Sequence, residues 1–104
     1  MTLVELKRLL DTTGYPVAYS HFNEPKATPF ITYLVTHSSN FHADNKVHKK
    51  INNVDIELYT DKKDLQAEEK LESILDDQEL PYDKVETFIS EEKLYQIIYE
   101  VRLF

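Results

Sequence analysis

The hydrophobic positions change period within one stretch, NVDIELYTDKKDLQAEEKLESIL, running from Asn53 to Leu75. Val54, Ile56 and Leu58 alternate with Asp55, Glu57 and Tyr59, the period of two expected of a strand with one buried face. From Leu65 the period lengthens, and Leu65, Ala67, Leu71, Ile74 and Leu75 share one side of a helix. Thr60 or Asp61 stands where an N-cap is wanted, and Asp64 would add negative charge to the first turn. So short a connection makes the helix lie back across the sheet, which places this strand–helix unit at the centre of the fold.

The remaining elements follow from the same periodicities. Thr2 to Asp11 reads as a helix: Thr2 and Glu5 have capping-box spacing, and Leu3, Leu6, Leu9 and Leu10 form its apolar face. Gly14 then supplies a left-handed residue at the helix end, and Pro16 prevents the helix from resuming. Val17 to Phe22 reads as a strand and NEPKATP, Asn23 to Pro29, as a loop. Phe30 to His37 is a second strand, with Phe30 and Leu34 on one side and Ile31, Tyr33 and Val35 on the other. Ser38 to Lys46 is loop-like, and Val47 to Asn53 returns as the far limb of a hairpin arm into the central strand. Beyond the second helix, Lys84 to Ser90 and Leu94 to Leu103 are strands joined by a polar turn. In the last strand Tyr95, Ile97, Tyr99, Val101 and Leu103 form an unbroken apolar face.

The expected architecture is α+β: a five-stranded, mainly antiparallel sheet with two helices, in the order α-β-β-β-α-β-β. Antiparallel pairing is expected because the connections are too short for crossovers. Residues 1–104 make a single domain with a protruding arm at about 38–53. Two strands are apolar on both sides, yet two helices cannot cover both faces of such a sheet. Either both helices lie on one face and the sheet curls to bury the rest, or the second face is buried by another copy or a partner. The arm is a second candidate contact, because loops of that length tend to be functional.

Composition narrows the classes. The 104 residues include 41% hydrophobic and 30% charged side chains, one Gly and four Pro, as in a folded globular chain rather than a disordered one. Cysteine is absent, which removes disulfides, thiolate chemistry and Cys-ligated metal. No apolar run approaches the roughly 20 residues of a membrane span, and no signal-peptide pattern opens the chain, so a cytoplasmic protein without a membrane partner is expected. The net charge of −7 is unevenly spread. Residues 1–50 carry six Lys/Arg against four Asp/Glu, whereas residues 51–104 carry six against fifteen. The acidic run reads as a solvated helix face or, alternatively, as a side of the domain that repels polyanions or meets a basic partner, and the chain lacks the basic stripe of a nucleic-acid-binding module.

Candidate chemistry changes this picture little. His37, His42, Asp44 and His48 lie in one segment but match no zinc spacing, and an arm is a poor scaffold for fixed ligand geometry. Glu68, Glu69 and Glu72, with Lys70 among them, read as a charged helix face rather than paired acid/base carboxylates. There is no glycine-rich phosphate loop and no Ser/His/Asp or Cys nucleophile. The expectation is a non-enzyme without cofactor or metal.

Several segments carry a resemblance: PFITY at Pro29–Tyr33, NFHADN at Asn40–Asn45, VDIELYTDKKD at Val54–Asp64, the E-x-x-L-E pattern from Glu68 to Glu72, and the closing LYQIIYEVRL from Leu94. The chain resembles the tail terminator (tail completion, minor tail) proteins of long-tailed bacteriophages and prophages of Gram-positive bacteria. The likeness runs over essentially the whole chain and is densest from Pro29 to Leu103. It implies a structural role in virion assembly: a homo-oligomeric, commonly hexameric ring that caps the tail tube, stops its growth and offers the joint to the head connector. Its partners would be itself, the tail tube protein and the head–tail connector, with DNA passing the lumen without specific binding. Its places would be the host cytoplasm during assembly and then the virion tail. An acidic lumen, drawn from the C-terminal half, would keep DNA from sticking. The interface candidates are Phe41, His42, Asp44, Lys46, His48, Lys49 and Lys50 on the arm, set against Glu68, Glu69 and Glu72 of a neighbouring copy. The alternatives are a dimeric, non-enzymatic α+β binding or adaptor module, or another phage head–tail completion protein.

Overall fold

The computed structural model describes residues 1–39, 41–43 and 46–104, with the side chains of 41–49 left aside. Its elements are α1 (Leu3–Asp11), β1 (Val17–Tyr19), β2 (Phe30–Ser38), β3 (Phe41–Ala43), β4 (Lys46–Lys49), β5 (Asn52–Thr60), α2 (Leu65–Asp77), β6 (Asp83–Ile89) and β7 (Leu94–Leu103). The main sheet has the order β1-β2-β5-β7-β6, and β3 and β4 form a separate two-stranded hairpin. The α+β architecture and the α-β-β-β-α-β-β order are those expected, the arm hairpin standing between the second and third main strands.

Local chemistry starts and stops these elements as the sequence prescribes in most places. Thr2 caps α1 in a complete capping box: its hydroxyl accepts from the Glu5 amide at 3.1 Å, and the Glu5 carboxylate accepts from the Thr2 amide at 3.3 Å. Gly14, at φ +83°, takes the left-handed turn after the helix and donates its amide to the Asp11 carbonyl. The second helix begins differently from expectation. Its N-cap is Asp64, whose carboxylate accepts from the Ala67 amide at 3.1 Å, not Thr60 or Asp61. Thr60 is still paired in β5 opposite Tyr95, so the strand claims the residue before the helix can.

The sheet is mixed. β1 runs parallel to β2, with Val17 beside Ile31 and Tyr19 beside Tyr33, and every other pair in the sheet is antiparallel. Loop 20–29 is long enough for this return: about ten residues can span roughly 33 Å, whereas a three-residue strand is only about 10 Å long. β1 also stops at Tyr19, short of the expected Phe22, where Ser20 turns to φ +67°.

Both helices lie on one face. Leu6 and Leu10 of α1 and Ala67, Leu71 and Leu75 of α2 pack on Ile31, Ile56, Leu58, Ile97, Tyr99 and Val101 in one cluster. Leu65, expected on this apolar side, is 65% exposed. With the cap at Asp64 it stands at the first helical position, beyond the sheet's cover, and Glu68 takes the inward place instead. Among the described residues, no helix lies on the second sheet face.

Candidate functional site

The strand registers define this open face residue by residue, because directly paired positions point the same way. Across β1, β2, β5, β7 and β6, one row reads Ala18, Thr32, Glu57, Ile98, Val85. The next reads Leu34, Asp55, Glu100, Asp83, and the one beyond it His37, Asn53, Arg102. Three carboxylates therefore lie side by side on β5, β7 and β6, with Cβ atoms about 4.5–5.5 Å apart between neighbours. A groove of about 470 Å³ follows them, bordered by Thr36, His37, Pro81, Tyr82 and Phe104. Among the described residues, none of Asp55, Glu100 or Asp83 forms an ion pair or accepts a side-chain hydrogen bond. Burial raises the pKa of Asp55, and His37 pulls it partly back.

Glu57, one row away, is held differently. Thr32 Oγ1 donates to its Oε1 at 2.8 Å, and Gln96 Nε2 donates to its Oε2 at 3.2 Å and to Tyr59 Oη at 2.9 Å. Its pKa is raised chiefly by burial, against the lowering effect of the Thr32 bond. Beyond it Phe30 stacks on Tyr59 with centroids 4.8 Å apart, and Phe22 meets Phe30 edge-on. The open face thus has an aromatic end, a partly desolvated polar middle and an acidic end.

The acidic end adjoins the root of the arm. A register shift between Val35 and His37 gives β2 an extra residue, Thr36, whose hydroxyl donates to the Asn53 carbonyl at 3.3 Å. The Asn53 side chain donates to the His37 carbonyl at 3.3 Å and to Ser39 Oγ at 2.8 Å, and the Ser39 amide to the Ile51 carbonyl at 2.8 Å. Such a bulge bends a strand and sharpens its twist. Past this clamp β3 and β4 pair only with each other, Phe41 opposite Lys49, His42 opposite Val47 and Ala43 opposite Lys46. The molecule measures 50 × 29 × 23 Å, and its radius of gyration of 14.7 Å exceeds the about 13 Å of a compact chain this size. A projecting arm accounts for both.

The interface candidates fall into three groups. Phe41, His42, Lys46, His48 and Lys49 lie on the backbone of the arm hairpin, and Asp44 lies outside the described residues. Lys50 is exposed at the arm's return. On α2 the three glutamates part ways. Glu69 is exposed, in a shallow groove with Tyr15, Gln66, Lys70 and Ser73. Glu68 is 2% exposed, with Lys84 Nζ 2.6 Å from one oxygen and Lys63 Nζ 2.8 Å from the other. Glu72 takes Lys84 at 2.9 Å, Tyr99 Oη at 2.7 Å and Tyr82 Oη at 3.2 Å. Burial pushes both carboxyls up, but these donors outweigh it and leave both pKa values below the ordinary range. The same carboxylates raise Lys84. Two of the three are therefore engaged within the chain, joining α2 to the edge strand β6.

Sequence reading named neither Lys63 and Lys84 as these partners nor the Asp55–Glu100–Asp83 row. Each row member was visible as a polar position in an alternating strand, but their adjacency depends on β7 lying between β5 and β6. Among the described residues no group of three or more His, Asp or Glu is gathered as if for a metal ion, and no helix is long and apolar enough to cross a membrane. Fold and site together define a two-layer α+β chain with one sheet face left open and an arm projecting beside it. No family model matches the chain, and no curated protein matches it.

Proposed function

We propose that this chain is a structural assembly protein that joins copies of itself into a ring, caps a phage tail tube and offers the surface to which the head connector binds. The observation that carries the reading is the pairing of an uncovered sheet face with an arm that leaves the body of the molecule. Each offers a contact surface, and the two surfaces differ. A contact between unlike surfaces is heterologous, and it generates a ring whenever its rotation closes. The resemblance to tail terminators supplies the identity of such a ring, and the acidic balance of residues 51–104 suits a lumen that DNA crosses without sticking.

The dimeric adaptor reading fares less well on the same surface. Packing open face on open face would set Asp55, Glu57, Asp83 and Glu100 against their own copies, with Arg102 and His37 the basic side chains among the described residues of these rows, and like charges brought together across an interface oppose binding. Native mass spectrometry over a range of protein concentrations separates the two. A species at six times the 12.3 kDa chain mass is expected for the ring. A species at twice that mass at every concentration refutes it.

A further inference from the structure

We infer that the Asp55–Glu100–Asp83 row is the docking surface for the lysine-bearing arm of a second copy of this chain. The inference rests on the ring reading and names its contact. Like charges directly opposite one another in a sheet destabilise it, and here three stand in succession across β5, β7 and β6 with no ion pair or side-chain hydrogen bond from the described residues, His37 offsetting only part of the effect of burial on Asp55. Arg102 is the nearest counter-charge in register, one row away opposite Asn53, and its guanidinium sits 5.8 Å from the Phe104 ring. Asp55 is partly desolvated already. An arrangement that disfavours the isolated chain becomes favourable once a cationic surface covers it.

The occupant is named by charge. On α2 the one cation, Lys70, lies over the Tyr15 ring amid five acidic side chains, Lys7 pairs with Asp11, and Lys63 and Lys84 are already bound to Glu68, Glu72 and Glu86. The arm carries Lys46, Lys49 and Lys50, with His42 and His48, against Asp44 alone. The arm leaves the sheet beside the acidic row of its own chain and pairs only with itself. One copy's arm on the next copy's row leaves that second arm free for a third copy. The contact therefore propagates head to tail, as a ring requires.

The test is concentration-dependent amide NMR of the full chain from 20 µM to 1 mM at low salt, joined to charge reversal. The expected result is shifts confined to the acidic row, its strand neighbours and the arm, lost as added salt screens the contact. Reversal of the arm (Lys46→Glu, Lys49→Glu and Lys50→Glu) and reversal of the row (Asp55→Lys and Glu100→Lys) each abolish the shifts by themselves. The two reversals combined in one chain restore them. Asp55→Asn adds a readout that a purely structural residue would not give: it raises the melting temperature of the dilute chain while weakening association several-fold. No concentration-dependent shift at 1 mM and low salt overturns the proposal, as does a combined variant that fails to associate while remaining folded. Rings that persist when arm or row is reversed overturn this contact and leave the ring standing. Salt-sensitive, swap-restorable association that never closes into a ring does the opposite.

Discussion

Replacing Lys84 by methionine removes the cation shared by Glu68 and Glu72 while keeping most of the side chain's apolar reach. Glu68 is 2% exposed, and its carboxylate then keeps only Lys63, at 2.8 Å. Breaking a fully buried ion pair costs about 3–5 kcal/mol. Two features reduce that here. Lys63 remains, and the lost ammonium is itself 36% exposed, so the expected loss is about 2–3 kcal/mol. In a domain of this size that lowers the melting temperature by roughly 10–20 °C. Urea unfolding at a series of pH values is the assay. Glu68 and Glu72 have folded pKa values below the ordinary 4.5, so their stabilisation is fully present above about pH 4.5 and is lost as pH falls through the lowered folded values. The deficit of Lys84→Met relative to the parent chain is therefore full at pH 7 and shrinks in acid. Lys84 has a raised pKa, so its share is fully present below the ordinary 10.5 and is lost only as pH climbs through the folded value. Adding Glu68→Met should recover most of the loss, since an apolar pair can replace a buried ion pair. A deficit under about 0.5 kcal/mol, or one that stays constant down to pH 3, refutes this account of how α2 is held to β6.

Two smaller predictions test the helix boundaries. Asp64→Ala should cost about 1 kcal/mol by removing the acceptor for the Ala67 amide, whereas Asp61→Ala should stay within about 0.5 kcal/mol; equal losses in thermal melts would place the cap elsewhere. Gly14→Ala should cost about 1–2 kcal/mol purely through its left-handed backbone, since a Cβ there meets nothing within 4 Å. A neutral substitution would mean that the turn rearranges.

Periodicity and local chemistry determined the elements themselves. The strand Leu94–Leu103 has the observed bounds, because ten residues with an unbroken apolar side and a polar turn before them leave one solution. The capping box of Thr2 and Glu5 located α1 for the same reason: both partners lie within one turn and need nothing from the rest of the chain. Alternation also assigned Val54, Ile56 and Leu58 to one face and Asp55, Glu57 and Tyr59 to the other, as the burial of β5 bears out. What required the tertiary structure was every feature in which distant segments compete or meet. Thr60 lost its capping role to pairing with Tyr95. Leu65 was left exposed, and Glu68 was buried because Lys63 and Lys84, from a loop and an edge strand, converge on it. The parallel pairing of β1 arises from a loop whose length permits either direction. The acidic row exists only because β7 inserts between β5 and β6. Alternation states which side of its own strand a carboxylate occupies; which other carboxylate stands beside it is decided by strand order, a long-range property that no local pattern encodes.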